Sequence, residues 1–416
     1  MNRNSNVYPS SVVAIRLAAL LLGLATAVPA QWISVKEYAV EARVWGIAAG
    51  PDGALWFTEN NNWRIGRLTT AGSLTEFNLP NAPIQERPQD IVAGPDGALW
   101  FTENTGNKIG RVTTAGVFTE YLLPNAGSGP WGITVGPDGA LWFTEYNTHI
   151  IGRITTDGAI NEYPLASGTY PKGITAGSDG AVWFGEWGTG AIGRITTDGV
   201  ITEYPLPNPD SGVVGIVAGP DGALWFTAWS HGWDPDTVGR ITTAGAITEY
   251  SLPNASWPWG ITVGADGAVW FTESNVVKIG RITADGVLTE YSSKSWAPWG
   301  IAAGPDGALW FAEEGKVGRI PACGLGFSAS FANSTLAMNF HLGVSTPATF
   351  SIHLRNATGP IAAPFSQAIP AVAPPRAFTM NWSPFPDLGS VTVVPQLVTG
   401  SGQGLCAEWV AVNTAQ

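Results

Sequence analysis

Six glutamates recur in one context along this chain of 416 residues. Glu59, Glu103, Glu145, Glu186, Glu273 and Glu313 each close an aromatic run of the form Trp-Phe-x-Glu, and in a seventh copy the acid gives way to Ala228. If these runs end at one opening, the carboxylates repel one another and their pKa values rise unless a cation or a donor neutralises them; a divalent metal is one solution. The other reading is that each Glu caps the hydrogen bonds of its own repeat, because a residue present in nearly every copy serves the copy. A second variable set precedes the recurrent Gly-Ile pairs: Trp45, Gln89, Trp131, Lys172, Val214, Trp259 and Trp299. Aromatic faces at such positions bind sugars, planar rings or cations, or they simply plug the space. A third candidate is the long stretch Trp229-Ser-His231-Gly-Trp233-Asp234-Pro-Asp236, which follows the missing acid. Long loops on a rigid frame carry specificity, and His231 with its two Asp neighbours has the groups for acid–base or metal chemistry. His149 lies in the corresponding loop two repeats earlier.

The elements that must position these residues are read from the repeat itself. Copies begin at Gly46, Asp90, Gly132, Gly173, Gly215, Gly260 and Gly300, at intervals of about 40 to 45 residues, the period of a four-stranded propeller blade. In the first copy, Gly46 to Ala49 is a short strand and Pro51-Asp52-Gly53 a turn; Ala54 to Glu59, Ile65 to Thr69 and Ser73 to Leu79 give three more strands. The fourth strands carry an acid followed by an aromatic, from Glu76-Phe77 to Glu290-Tyr291, six times. The last copy lacks this strand, and the missing pair stands at the other end of the chain as Glu37-Tyr38. A ring must close without open strand edges. The expectation is therefore an all-β fold: a seven-bladed β-propeller over residues 31–322, with four-stranded blades and an N-terminal strand completing blade seven.

In such a ring the inner strands line a central channel, and the two variable positions meet at its mouth. Trp259, Trp299 and Trp45 come from adjacent blades and form an aromatic crescent. With Trp131, and with Trp229 and Trp233 of the long loop, they are the expected ligand contacts. The invariant parts are framework: Trp56 and its six counterparts pack between blades, Asp52 and its counterparts form turns, and Arg67 and its counterparts pair with an acid on a neighbouring strand.

After Pro321 the period vanishes. Residues 323–416 alternate apolar and polar, which suits a small β-sandwich-like domain. Its Cys323 and Cys406 form one disulfide in an oxidising compartment, closing a loop of about 80 residues for a restriction of roughly 4 to 5 kcal/mol in the unfolded chain. Residues 1–30 read as a signal peptide: Arg3 and Arg16, an apolar run from Leu17 to Ala27, and the small-residue site Val28-Pro29-Ala30. A secreted or periplasmic monomer without a transmembrane segment is expected. The net charge of −12 disfavours nucleic acid and anionic lipid. No Gly-x-Ser-x-Gly elbow, His-Glu-x-x-His, P-loop or dinucleotide fingerprint occurs.

The unit Gly-Ile-Thr-x-Gly-Pro-Asp-Gly-Ala-Leu-Trp-Phe-Thr-Glu, followed by Ile-Gly-Arg-Ile-Thr and Ile-Thr-Glu-Tyr-x-Leu-Pro, resembles the streptogramin lyase family over about residues 34 to 320. The resemblance implies a seven-bladed propeller and a magnesium-dependent carbon–oxygen lyase that linearises cyclic depsipeptide antibiotics by elimination. It implies two catalytic His before the Gly-Ile pairs of the last two blades and two Glu in the loops that follow. The Glu positions are present as Glu273 and as Glu314 or its neighbour Glu313, the expected Mg2+ ligands. The His positions are Trp259 and Trp299, and indole cannot accept a proton. The sequence thus favours a binding propeller for a sugar, peptide or aromatic ligand, with the lyase, or another metal-assisted lyase or hydrolase using a base such as His231, as the alternative.

Overall fold

The computed structural model describes residues 35–80, 87–232, 234–253, 256–292 and 297–320, together with the backbone of Gln31–Trp32 and of the strands between 327 and 413. The expected signal segment, the Cys323–Cys406 pair and Trp233 lie outside the described residues. Among the described residues no helix is long and apolar enough to cross a membrane.

The repeat folds as an antiparallel four-stranded sheet. In one of them Pro130–Val135, Leu141–Glu145, Ile150–Ile154 and Ile160–Pro164 pair in order. The second strand is buried along its whole length, while the outermost is half-exposed. That difference explains the sequence: a strand covered on both faces reads as a continuous apolar run, Leu-Trp-Phe. The turn before it is built around Asp138, whose Oδ1 accepts the Trp142 Nε1–H at 3.0 Å and whose Oδ2 accepts the Arg153 Nε–H at 2.6 Å. The guanidinium lies 6.0 Å over the Trp142 ring. Burial opposes ionisation of this carboxyl, but the bonds from Trp142, Arg153 and the Ala140 backbone outweigh it and hold its pKa below the ordinary value. The same trio recurs from Asp52–Trp56–Arg67 to Asp306–Trp310–Arg319. The repeated Arg thus takes the turn Asp of its own repeat, not an acid on a neighbouring strand.

The propeller strands group into six sheets, not the seven separate blades expected. The reason is one uninterrupted strand of 14 residues, Lys36–Ala49. Its first part pairs with Leu309–Ile320, from Lys36 opposite Arg319 to Arg43 opposite Glu314, and its second part pairs with Ala54–Glu59. The first and last repeats therefore share a six-stranded sheet. Within it Tyr38 stacks on Trp310 at 5.3 Å, as Tyr163 stacks on Trp142 at 5.5 Å in its own sheet. Gly72, at φ 104°, lies against Tyr38, and a Cβ there would come within 2.8 Å of the ring. Beyond residue 326, two further antiparallel sheets form, one around Thr335–Val344 and one around Ala348–Asn356 and Ser390–Thr399.

Neighbouring sheets are clasped by the Thr of the Trp-Phe-Thr-Glu run. Thr144 Oγ1 accepts the Gly132 N–H at 2.9 Å and donates to the Lys172 carbonyl of the next sheet at 2.7 Å. Thr58, Thr102, Thr227 and Thr272 make the same double bond, to the carbonyls of Gln89, Trp131, Trp259 and Trp299. All five hydroxyls are buried. Replacing Thr144 by Val keeps the shape and orphans one donor and one acceptor, so urea unfolding should reveal a loss of about 1 to 3 kcal/mol; an unchanged midpoint would show that the clasp contributes nothing.

Candidate binding site at the channel mouth

The innermost strands approach one another so closely that the Gly-Ile glycine has no room for a side chain. At Gly300, a Cβ would sit 2.4 Å from the carbonyl oxygen of Trp45. Between these strands runs a channel cavity of about 150 Å³, lined by Ile47, Ile174, Ile216, Ile261 and Ile301 and bounded by Trp45, Trp131 and Trp259. One copy breaks the glycine rule. Asp90 stands in its place and accepts the backbone N–H groups of Ile91 at 2.9 Å and Ile133 at 3.1 Å. Burial pushes its carboxyl up to about 6.

The four expected indoles do meet, but as a packed cluster and not as an open crescent. Trp45 stacks on Trp299 at 4.4 Å and meets Trp259 edge-on at 5.3 Å; Trp259 meets Trp299 edge-on at 5.6 Å. Trp131 stands 6.4 Å from both Trp45 and Trp259. Arg43 extends over Trp299, with its guanidinium 5.8 Å from the ring centre. The cluster continues outward. Trp229 touches Trp259 at 5.2 Å, Trp257 at 5.6 Å and Trp187 at 5.0 Å. On the other side Trp131 leads to Tyr146 and then Tyr170. The outer members reach solvent: Trp257 is 49% exposed and Tyr170 38%. Both hold a left-handed backbone, at φ 50° and 47°, which is uncommon for bulky residues.

At the centre of this aromatic surface lies Lys172. It is 6% exposed, and its Nζ is 3.5 Å from the centre of the Trp187 ring. The rings of Trp131, Trp259, Tyr146 and Trp229 follow at 5.3, 5.4, 5.7 and 5.8 Å. Desolvation pulls the ammonium down to about 7.

The remaining expected residues are dispersed. His231 is exposed, meets the Trp187 ring edge-on at 4.6 Å, and donates its backbone N–H to Asp210. Asp236, in the same loop, is buried and accepts the N–H groups of Ser230, Ser256 and Trp257 at 2.8 to 3.0 Å, so it ties the loop to the next sheet. Asp234 accepts from Asn208. His149 accepts the Tyr170 N–H on Nδ1 and packs edge-on against that ring. The strand-end glutamates do not gather at the mouth. All six are fully buried inside their own sheets. Glu145 accepts from Thr148 and Glu186 from Thr189. Burial first, and a facing carboxylate second, raise Glu145 and Glu186 to about 7 and Glu273, which faces Glu290, to about 8. Glu314 turns outward to an ion pair with Arg43 at 3.0 Å. Among the described residues no three His, Cys, Asp or Glu converge as a metal cluster; of the expected magnesium ligands, Glu273 and Glu313 are buried and Glu314 is paired with Arg43.

Trp187, Tyr146, Tyr170, Trp257 and Asp90 carry the mouth and the channel without having been singled out in the sequence, and Lys172 stood there only as one member of the variable set, with no role assigned. Two left a signal there. Asp90 is the one copy without the hub glycine, and Lys172 is the one cation at a position that elsewhere is mostly indole.

The virginiamycin B lyase family matches residues 33–320. The chain belongs to that family. A streptogramin B lyase structure is similar at 41% identity, with a TM-score of 0.65, covering 69% of this chain and 97% of that one. The virginiamycin B lyase of Staphylococcus aureus is similar at 42% identity and a TM-score of 0.64, again over 69% of this chain and 98% of that one. A catalytically inactive variant of it, solved with quinupristin, is similar at 43% identity and a TM-score of 0.65, over the same shares. A WD40 propeller domain of Doa1 shares the fold at 11% identity and a TM-score of 0.57, covering 70% of this chain and 96% of that one. None of the curated proteins compared matches the chain.

The buried glutamates set a pH dependence. Their folded pKa values lie above the unfolded value, so the folded chain binds more protons between about pH 4.5 and 8. The stability this gives is complete below the unfolded pKa and is lost as pH rises through the folded one. Thermal unfolding should therefore occur at higher temperature at pH 5 than at pH 8. Glu273→Gln, which cannot ionise, should reduce that difference; an unchanged or enlarged difference would contradict the assignment.

Proposed function

We propose that this protein is a ligand-binding member of the virginiamycin B lyase family whose aromatic mouth holds a planar or sugar ring. The observation that carries the reading is the continuous aromatic surface from Trp45 through Trp259 and Trp229 to the exposed Trp257. Such a surface buries large ring area at little cost in side-chain order. The reading places the ligand on the indole cluster, above the channel. It also takes the fold as seven radial units, counting the shared six-stranded sheet as two. The succession of Thr clasps and the stacking of Tyr38 on Trp310 support that count.

The family supports a second reading, magnesium-dependent elimination on a cyclic depsipeptide. Against it stand Trp259 and Trp299 at the positions where the resemblance implies His. An indole donates through Nε1–H and offers no lone pair to a proton, and the Trp299 Nε1 is buried without a partner. Incubation with quinupristin and magnesium separates the two readings. Ring opening by elimination changes retention on a column without changing mass, whereas hydrolysis adds one water. No product is expected, with an active family enzyme as the positive control. For binding, Trp fluorescence titrated with aromatic compounds and oligosaccharides should saturate, and Trp259→Ala should weaken the affinity about tenfold. A flat titration across both ligand classes would end the binding reading.

A further inference from the structure

Lys172 is an unusual resident of an aromatic surface. Only 6% of the residue is exposed. Five rings surround its Nζ, and among the described residues no carboxylate lies within ion-pairing distance of it. The nearby acids are otherwise engaged. Glu145 and Glu186 end the strands just before Tyr146 and Trp187, and each is buried and bonded to a Thr of its own loop. The remaining titratable groups beside the rings are Tyr146 itself, His149 and Tyr170, which pack together, His231 at the edge of Trp187, Arg43 over Trp299, and Asp236 behind Trp257. Asp236 is the one carboxylic acid among them, and its oxygens are taken by the backbone N–H groups of Ser230, Ser256 and Trp257, so none supplies the negative charge that a buried ammonium calls for.

Ring faces offset part of the desolvation cost of a cation, but they offer no hydrogen-bond acceptor for its three N–H donors. The rest of the molecule shows how this fold treats its other charges. Arg64, Lys108, Lys278 and each turn-facing Arg all have a carboxylate partner. In a chain of net charge −12, one cation held without an anion at the centre of an aromatic surface needs a partner that the chain does not supply.

We propose that the ligand supplies it: the mouth takes an aromatic ring bearing a carboxylate, with the ring on the Trp229–Trp257–Trp259 surface and the anion accepting from Lys172 Nζ. This rests on the reading that the aromatic mouth binds a ring-shaped ligand, and adds the sign of its charge. Lys172 is the specificity determinant. Because burial places its ammonium near neutrality, anion binding is strong below about pH 7 and fades as the amine loses its proton above it.

The test uses three ligands of one ring and three charges: phenylacetate, phenylacetamide and phenethylamine. Each is titrated into the full chain at pH 6 with Trp fluorescence excited where the probes do not absorb. Phenylacetate should bind about tenfold or more tighter than phenylacetamide, since a charge-assisted hydrogen bond is at stake, and phenethylamine should bind weakest. The phenylacetate advantage should disappear at pH 9. Lys172→Met should abolish the advantage of phenylacetate over phenylacetamide, and Lys172→Arg should retain it at both pH values. Equal binding of the three probes by the unmodified chain overturns the charge assignment and leaves the aromatic binding surface standing. Tightest binding of phenethylamine also overturns it, because the rings would then be acting as a cation site. No binding of any probe removes the aromatic-ring reading and this inference together. The comparison on the unmodified chain decides the matter even if a Lys172 variant does not fold.

Discussion

A buried threonine hydroxyl in five of the seven repeats holds neighbouring sheets together and fixes the binding surface at the same time. Thr58, Thr102, Thr144, Thr227 and Thr272 each accept a backbone N–H from their own inner strand and donate to a carbonyl of the next. The carbonyls they hold belong to Gln89, Trp131, Lys172, Trp259 and Trp299. These are the residues whose side chains cross the channel mouth. Inter-sheet packing and site geometry therefore rest on the same buried bonds. Such bonds are rigid because the alternative, an orphaned donor and acceptor away from water, is costly. The exceptions are instructive. Where Gly185 replaces Thr, Val213 fills the space a side chain would need. Where Ala312 replaces it, the Trp45 carbonyl takes the Gly300 N–H directly.

The framework was legible in the sequence because it repeats. Comparing copies separates what every sheet needs from what varies, and the four-stranded sheet, the Asp turns and the Tyr38 strand all emerged that way. The partner of the repeated Arg did not, since an acid in the turn and an acid on the outer strand recur with the same period. The sheet count also escaped the repeat. Nothing in the composition of Lys36–Ala49 signals that one strand would run unbroken from the last repeat into the first. At the mouth, identity was visible but direction was not. The strand-end glutamates alternate with residues facing the other way, and a period of two does not say which face is the mouth. They turned inward, into their sheets. Lys172 was visible as a variable residue but its role was not: that role lies in what is missing around it, and an absent counter-ion is a property of three dimensions.

Charge in this molecule is sorted by depth. Turn carboxylates at the rim are ionised and matched with Arg, whereas the strand-end glutamates are buried and pushed toward their neutral form. The mouth thus carries less negative field than the net charge suggests. That is the electrostatic condition under which an uncompensated Lys and a wide aromatic surface can coexist.

The shared six-stranded sheet has a bearing on how the protein comes into being. Lys36 to Ala39 leave the ribosome ahead of the repeats, yet their partners Lys316 to Arg319 come at the end of the last repeat. The earliest strand must wait, unpaired, while nearly the whole propeller is synthesised. Until then the nascent chain is an open arc with an exposed edge at each end, a template for stray pairing. Closure is a late, long-range event, and late long-range pairing is slow. For this family member, the vulnerable moment is the interval between the last residue of the ring and the capture of its first.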